Sequence, residues 1–149
     1  MKTVWRWIWE FPQCLMGVCL YLFYKKTLIK KVNYKDSIVY IYDKFPGGIS
    51  LGRYIHVDSS KAYINTVWEQ EYLNRDIQHE YGHTHDSKWQ GPLYLLFTGL
   101  LSVGWLLTRR VHNKYCKEGK KWNYYWFFTE RRADKFGEVN RPEGHDLYL

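Results

Sequence analysis

The chain opens on an apolar, aromatic stretch, with Trp5, Trp7, Trp9 and Phe11 running through Pro12 into residues 14–24. Its unbroken part is shorter than the roughly 20 residues a membrane-crossing helix needs, and Pro12 and Gly17 interrupt a straight one. The pattern predicts a short helix lying in or dipping into one leaflet. A buried amphipathic helix of a soluble protein is the competing reading. Residues 37–43 (SIVYIYD) and 50–57 (SLGRYIHV) are rich in β-branched and aromatic side chains, with the turn signal Phe45-Pro46-Gly47-Gly48 between them. They predict an antiparallel hairpin. Residues 59–72 are ambiguous. A helix is then predicted from Asn74, a good N-cap residue, to about Lys88, before Gly91-Pro92 stops it. A second apolar stretch, residues 92–107, is broken by Gly99, Ser102 and Gly104. A last helix is expected from about Trp122 to Phe136, with Gly137 in the left-handed position that ends many helices.

Composition refines this picture. A chain of 149 residues fits one domain with a modest core. Mean hydropathy is polar, at -0.52, yet 19% of residues are aromatic and the net charge is +7. Aromatic and basic enrichment occurs at membrane interfaces and in nucleic-acid binders, and the distribution favours the membrane. Lys25, Lys26, Lys30 and Lys31 follow the first apolar stretch; Arg109, Arg110, Lys114, Lys117, Lys120 and Lys121 follow the second. Basic clusters abutting apolar runs read as anchors on an anionic membrane surface. No nucleic-acid-binding signature is visible, and no nucleic-acid partner is expected. Cys14, Cys19 and Cys116 form no CxxC pair, which fits a reducing compartment and small buried roles. Arg6 and Glu10 interrupt the apolar N-terminus, which argues against a cleaved signal peptide.

The candidate chemistry centres on His79-Glu80-Tyr81-Gly82-His83, an HExxH motif on a predicted helix. Positions i and i+4 share a helix face, so both imidazoles can reach one metal. Glu80 is then the catalytic base, close enough to take a proton from a water that zinc acidifies towards pKa ~7. A catalytic zinc needs a third protein ligand and one open position. Downstream, Glu130-Arg131-Arg132-Ala133-Asp134 places Glu130 and Asp134 on one helix face. Glu130 is the expected third ligand, and Asp134 the carboxylate that orients a ligand histidine. Ala133 is small enough to let the two helices approach. His85 points off the ligand face and is expected at the surface; His56 is expected to be structural or near a substrate edge.

HExxH followed by ExxxD resembles the gluzincin clan of zinc metallopeptidases, over roughly residues 49–137. The resemblance implies Glu80 as general base, His79, His83 and Glu130 as zinc ligands, Asp134 in support, and a peptide or protein substrate. It also implies an edge strand before the HExxH helix that pairs with extended substrate, a place that residues 50–57 would fill. The long separation between His83 and Glu130 is similar to integral-membrane gluzincins, where an apolar helical hairpin intervenes. The donor to the tetrahedral oxyanion stays open among Tyr124, Tyr125, His112, Arg131 and His145.

A zinc shared by His83 and Glu130 forbids residues 92–107 from crossing a bilayer once. The expectation is therefore a turn near Gly99, Ser102 and Gly104 between two short arms. The fold expected is α+β: a small antiparallel hairpin or sheet on the HExxH helix and the Glu130 helix, with two apolar membrane-interacting segments. One metallopeptidase-like domain spans 1–149. Within it, 1–31 is a membrane-associating segment and 37–137 a catalytic core with an apolar insertion at 92–107. The localisation expected is the cytoplasmic face of a membrane. Two other readings compete. One is a catalytically silent membrane-associated zinc protein. The other is a soluble minimal metallopeptidase whose apolar segments form core or an oligomer interface.

Overall fold

Alternation of side chains across a four-stranded sheet builds two apolar layers, one on each face. The structure, a computed structural model, describes residues 2–59 and 67–141. Helices α1 (Lys2–Trp9) and α2 (Phe11–Tyr24) lead through a 3-10 turn into β1 (Leu28–Tyr34), β2 (Ser37–Tyr42), β3 (Gly48–Leu51) and β4 (Tyr54–Asp58). The strand order is β1-β2-β4-β3. β1–β2 and β3–β4 pair antiparallel, whereas β2 and β4 run parallel, with Val39 opposite Ile55 and Ile41 opposite Val57.

The architecture is mixed α+β, and the expected hairpin needs correcting. Residues 50–57 are not one strand. Gly52, with φ +63°, turns the chain sharply at Gly52-Arg53, so β3 and β4 form a tight hairpin of their own. The Phe45–Gly48 region becomes the connection that returns the chain for parallel pairing. β1 is an addition: Lys30 and Lys31, read as part of a lipid anchor, lie on this edge strand, where lysines guard an exposed ladder.

On one sheet face, Val39, Ile41, Ile55 and Val57 pack against Ile77 and Tyr81 of α3 (Val67–Gln90). On the other, Tyr40, Tyr42, Phe45 and Tyr54 pack against Cys14 of α2, with Tyr21 and Tyr24 at the margin. α2 approaches so closely that a Cβ on Gly17 would stand 2.9 Å from the Tyr54 side chain. α2 is also tied to α3 by polar bonds. Buried Glu10 accepts from Ser87 Oγ at 2.6 Å and pairs with Arg6, while Gln13 Nε2 donates to the Gly91 carbonyl at 2.7 Å.

α3 begins earlier than expected, with Asn74 inside it rather than at its cap, and Leu73 before it packs against the same core as Ile77 and Tyr81. It ends at Gly91, whose φ of +55° and Pro92 turn the chain. The axes of residues Glu71–Leu93 and Leu95–Tyr115 differ by 119°. After the bend, a π-helical turn at Leu95–Gly99 passes directly into α4 (Leu100–Tyr115). Residues 92–107 therefore do not fold into two short arms; the turn lies at Gly91-Pro92, and Gly99 and Gly104 continue a helix. Among the described residues, no single helix is long and apolar enough to cross a membrane.

The last helix is shorter than expected. A 3-10 turn at Tyr124–Trp126 precedes α5 (Phe128–Gly137). Glu138, with φ +58°, takes the left-handed cap expected of Gly137. Gly137 is required for a different reason: a Cβ there would collide with the Gln78 carbonyl of α3.

Candidate metal centre

Two helices that meet at small residues bring the site together. Gly82 sits against the backbone of Ala133, and Gly137 against Gln78, so α3 and α5 touch without side chains between them. This approach aims His79 and His83, one turn apart on α3, at Glu130 on α5. His79 Nε2 lies 3.2 Å from Glu130 Oε2, and His83 Nε2 lies 3.5 Å from the same oxygen. One donor atom from each residue falls within 4.8 Å of the others, all three residues are buried, and the group could hold a metal ion.

The donor chemistry fits a cation. His79 Nδ1 is 2.7 Å from Asp134 Oδ1, and a carboxylate there accepts the imidazole N–H. The neutral ring then turns its Nε2 lone pair towards the Glu130 oxygen. Two acceptors face each other, an arrangement that a proton or a cation between them resolves. Asp134 is itself gripped by Arg141 through two bonds, of 2.7 and 2.8 Å. Arg141 lies over the Tyr125 ring at 3.4 Å, and Tyr125 meets His79 edge-on at 5.4 Å. His79 is thus held by a closed circuit of Asp134, Arg141 and Tyr125. His83 has a looser counterpart. Its Nδ1 is 3.8 Å from Asp86, an ion-pair distance too long for a hydrogen bond, and Asp86 pairs with Arg132 at 2.8 Å.

Glu130 carries its charge through its neighbours. Burial opposes ionisation of its carboxyl, but the imidazoles of His79 and His83, each able to donate to it when protonated, outweigh burial and hold the pKa well below the ordinary range. Its other oxygen accepts from Thr129 Oγ1 at 3.1 Å, and Thr129 is braced by Ser102 of α4 at 3.0 Å. Burial also disfavours the charged imidazoles, yet His79 is raised by Asp134 and Glu130, and His83 by Asp86 and Glu130. The pocket as a whole favours positive charge at its centre.

Glu80 is buried beside this group without belonging to it. Burial lifts its pKa, and the two imidazoles pull it back only in part. Its carboxylate rests on β3, where a Cβ on Gly48 would stand 2.5 Å from Oε1. Two cavities meet at this point. Glu80, Gly48, Leu106 and Tyr124 line both of them. The larger, of about 400 Å³, runs between β3 and α4 and reaches His83; the smaller, of about 240 Å³, reaches His79, Asp76, Arg109 and Arg110.

Of the five candidate oxyanion donors, Tyr124 is the one that faces both Glu80 cavities. Burial first, then the Glu130 charge and its hydrogen bond, raise the Tyr124 phenol above its ordinary pKa. Tyr125 serves the His79 circuit, Arg131 is exposed, and His112 stacks on Trp122 at 3.7 Å. His145 lies outside the described residues. His85 is half-buried between Tyr81 and Phe136, not simply at the surface. His56 is fully buried, with Nδ1 2.8 Å from the Tyr42 hydroxyl.

The edge strand beside the site is β3, four residues long, whereas β4 is interior. Thr129, Asp86, Arg141 and Gly48 escape the sequence reading. Asp86 is three positions past His83, so helix spacing could have found it; Arg141 and Gly48 leave no local signal. The chain matches no protein-family model, no curated protein and no solved structure.

Proposed function

We propose that this chain is a zinc metallopeptidase that hydrolyses peptide bonds at an anionic membrane surface on the cytoplasmic face. The observation that carries the reading is the position of Glu80. A buried carboxylate with a raised pKa adjoins a His-His-Glu donor set, contributes nothing to it, and faces two open cavities. A structural zinc site usually closes with four protein ligands and needs no neighbouring base.

His79, His83 and Glu130 would hold the ion, and Asp134 would fix the His79 ring. Zinc, when bound, supplies Lewis acidity that brings a water near neutral pKa. Glu80 accepts the proton at its carboxylate and returns it to the leaving amine. Tyr124 lines both cavities, and its hydroxyl, freed from Glu130 once that carboxylate turns to the ion, would donate to the carbonyl oxygen as charge develops there. β3 offers its outer edge to an extended substrate, and Gly48 leaves room for the Glu80 carboxylate beside it.

The membrane part of the reading rests on exposed apolar residues. Trp5, Ile8, Phe11 and Phe23 on α1–α2, and Leu96, Phe97, Leu100 and Leu107 around α4, are all open to solvent. Lys25 and Lys26 follow the first group; Arg110 and Lys114 follow the second. Single exposed apolar residues are ordinary, but dense runs of them rimmed by basic charge mark a docking surface for anionic lipid.

The deciding experiment compares parent and Glu80→Gln proteins for zinc content and for hydrolysis of unfolded casein. Equal zinc with hydrolysis in the parent alone is expected, because the amide cannot take the proton. Equal hydrolysis by both proteins would place the base elsewhere or expose a contaminant. Hydrolysis by neither, with zinc present, would return the site to a silent one.

A further inference from the structure

The two cavities that meet at Glu80 differ in chemistry. The smaller is the more polar of the two, with Asp76, Arg109 and Arg110 in its wall. The larger is walled by Met16 of α2, Ile49 of β3, and Leu95, Leu100, Val103 and Leu106 around α4. Ser50 and Tyr94 also line it, but the Tyr94 hydroxyl is turned onto Ser50, within 3.4 Å of its carbonyl oxygen. Burial lifts the Tyr94 phenol, so that wall presents no charge. A cavity of about 400 Å³ falls within the range of sites that enclose small ligands, and it exceeds what one small side chain fills.

Position decides what could enter. The cavity starts at Glu80 and His83 and ends at Met16, Leu100 and Val103, which are themselves exposed on the apolar faces of α2 and α4. It is continuous with the apolar surface, and its inner end is at the reacting groups. β3 forms one wall, so a strand added to that edge projects alternate side chains into the space.

We propose that the large cavity is the specificity site of this enzyme, and that it takes an extended peptide segment with two large apolar side chains at alternate positions on one side of the cleaved bond. This rests on the peptidase reading and adds the substrate class to it. The polar cavity receives the other side of the bond, so cleavage is directional, with apolar residues on one flank only.

The test measures binding and cleavage separately. Two dye-labelled hexapeptides, identical except that two residues separated by one Gly are both Leu or both Ser (the Leu-Leu and Ser-Ser peptides), are titrated against zinc-loaded Glu80→Gln protein by fluorescence anisotropy. Each buried Leu side chain contributes about tenfold or more in affinity. The Leu-Leu peptide should therefore bind at least about tenfold tighter. Val103→Trp or Leu100→Trp, which fill the cavity from its rim, should erase that difference with zinc content unchanged. Val111→Trp, exposed on the same helix outside the cavity, should preserve it. Equal affinity for the two peptides, absence of binding to either, or a preference that survives both filling variants would overturn the proposal. Binding of dodecanoic acid without either peptide would make the cavity a lipid site and overturn it as well. A parent protein that prefers the Leu-Leu peptide yet leaves it intact would sink the peptidase reading and keep the cavity's specificity.

Discussion

Gly82 presses against Ala133 so closely that a methyl group on Gly82 would overlap the Ala133 carbonyl. The partner atom is backbone, so no rotamer change relieves the collision. Gly82→Ala should therefore push α3 and α5 apart. Overpacking of this kind costs about 1–3 kcal/mol and occasionally more. Because Glu130 rides on α5, zinc content should fall together with the melting temperature. A variant with unchanged Tm and full zinc would show that the helices do not meet as described.

Asp134 and Arg141 should act on zinc affinity as a unit. Asp134→Ala should weaken zinc binding by about 10–100-fold, the usual effect of losing a carboxylate behind a ligand histidine. Arg141→Ala should weaken it in the same direction, and the double variant should add little, because both act through the His79 ring. Zinc titration against a competing chelator reads all three. Fully additive losses would break the circuit into unrelated parts.

His56 gives the fold an acid sensitivity that is independent of the metal group. Its burial pushes the imidazole down to about 4, against a weaker pull upward from the Gly17 backbone. The folded pKa lies below the unfolded value of about 6.5, so the unfolded chain binds the extra proton. Stability contributed by neutral His56 is complete above about pH 6.5 and is lost as pH falls towards 4. The loss approaches about 3 kcal/mol at the lower end. His56→Gln should flatten that part of the profile, keeping an acceptor for the Tyr42 hydroxyl. Denaturant midpoints of parent and variant between pH 7 and 4 test it; parallel profiles would clear His56.

Membrane attachment should combine apolar burial with charge. Flotation with phosphatidylglycerol vesicles should carry the protein up, at about 1 kcal/mol for each basic residue near the surface. High salt should release only part of it, since burial of apolar side chains is not screened. Phe97→Asp with Leu101→Asp should cut binding by at least about tenfold without lowering Tm, because both side chains are exposed. A parent protein that stays with the aqueous fraction would retire the membrane reading.

Helix spacing made the heart of the candidate site legible in the sequence. His79 and His83 one turn apart, and Glu130 and Asp134 one turn apart, are brought together by the α3–α5 contact. The small Ala133 was readable as a point of approach, but its partner Gly82 was hidden inside the motif itself. The sheet was less legible for a physical reason. Residues 50–57 have uniform strand character, and only Gly52 marks the place where the chain reverses. Parallel pairing of β2 with β4 is decided by burial on both faces, which no local period reports. β1 was concealed because an edge strand tolerates lysines that also suit a lipid anchor. The bend at Gly91 was visible, but residues 92–107 carry glycines at Gly99 and Gly104 that a helix with open flanks accepts.

On the proposed membrane reading, the bonds that Glu10 and Gln13 make to Ser87 and Gly91 would limit how deep this protein could sit in lipid. With Glu10, Gln13, Cys14 and Gly17 buried against the fold, α2 cannot roll or peel away without tearing a polar lattice and uncovering the aromatic layer beneath. Only its outer half, with Leu15, Met16, Leu22 and Phe23, is available. A helix is about 10–12 Å across with its side chains, so immersion of that half reaches about 5 Å. The protein would therefore float at headgroup level like a hull with a fixed waterline, disturbing one leaflet and leaving the far one untouched. The reacting groups would travel at a constant height above the bilayer, set by the cavity that separates Glu80 and His83 from Met16 and Leu100 on the docking face.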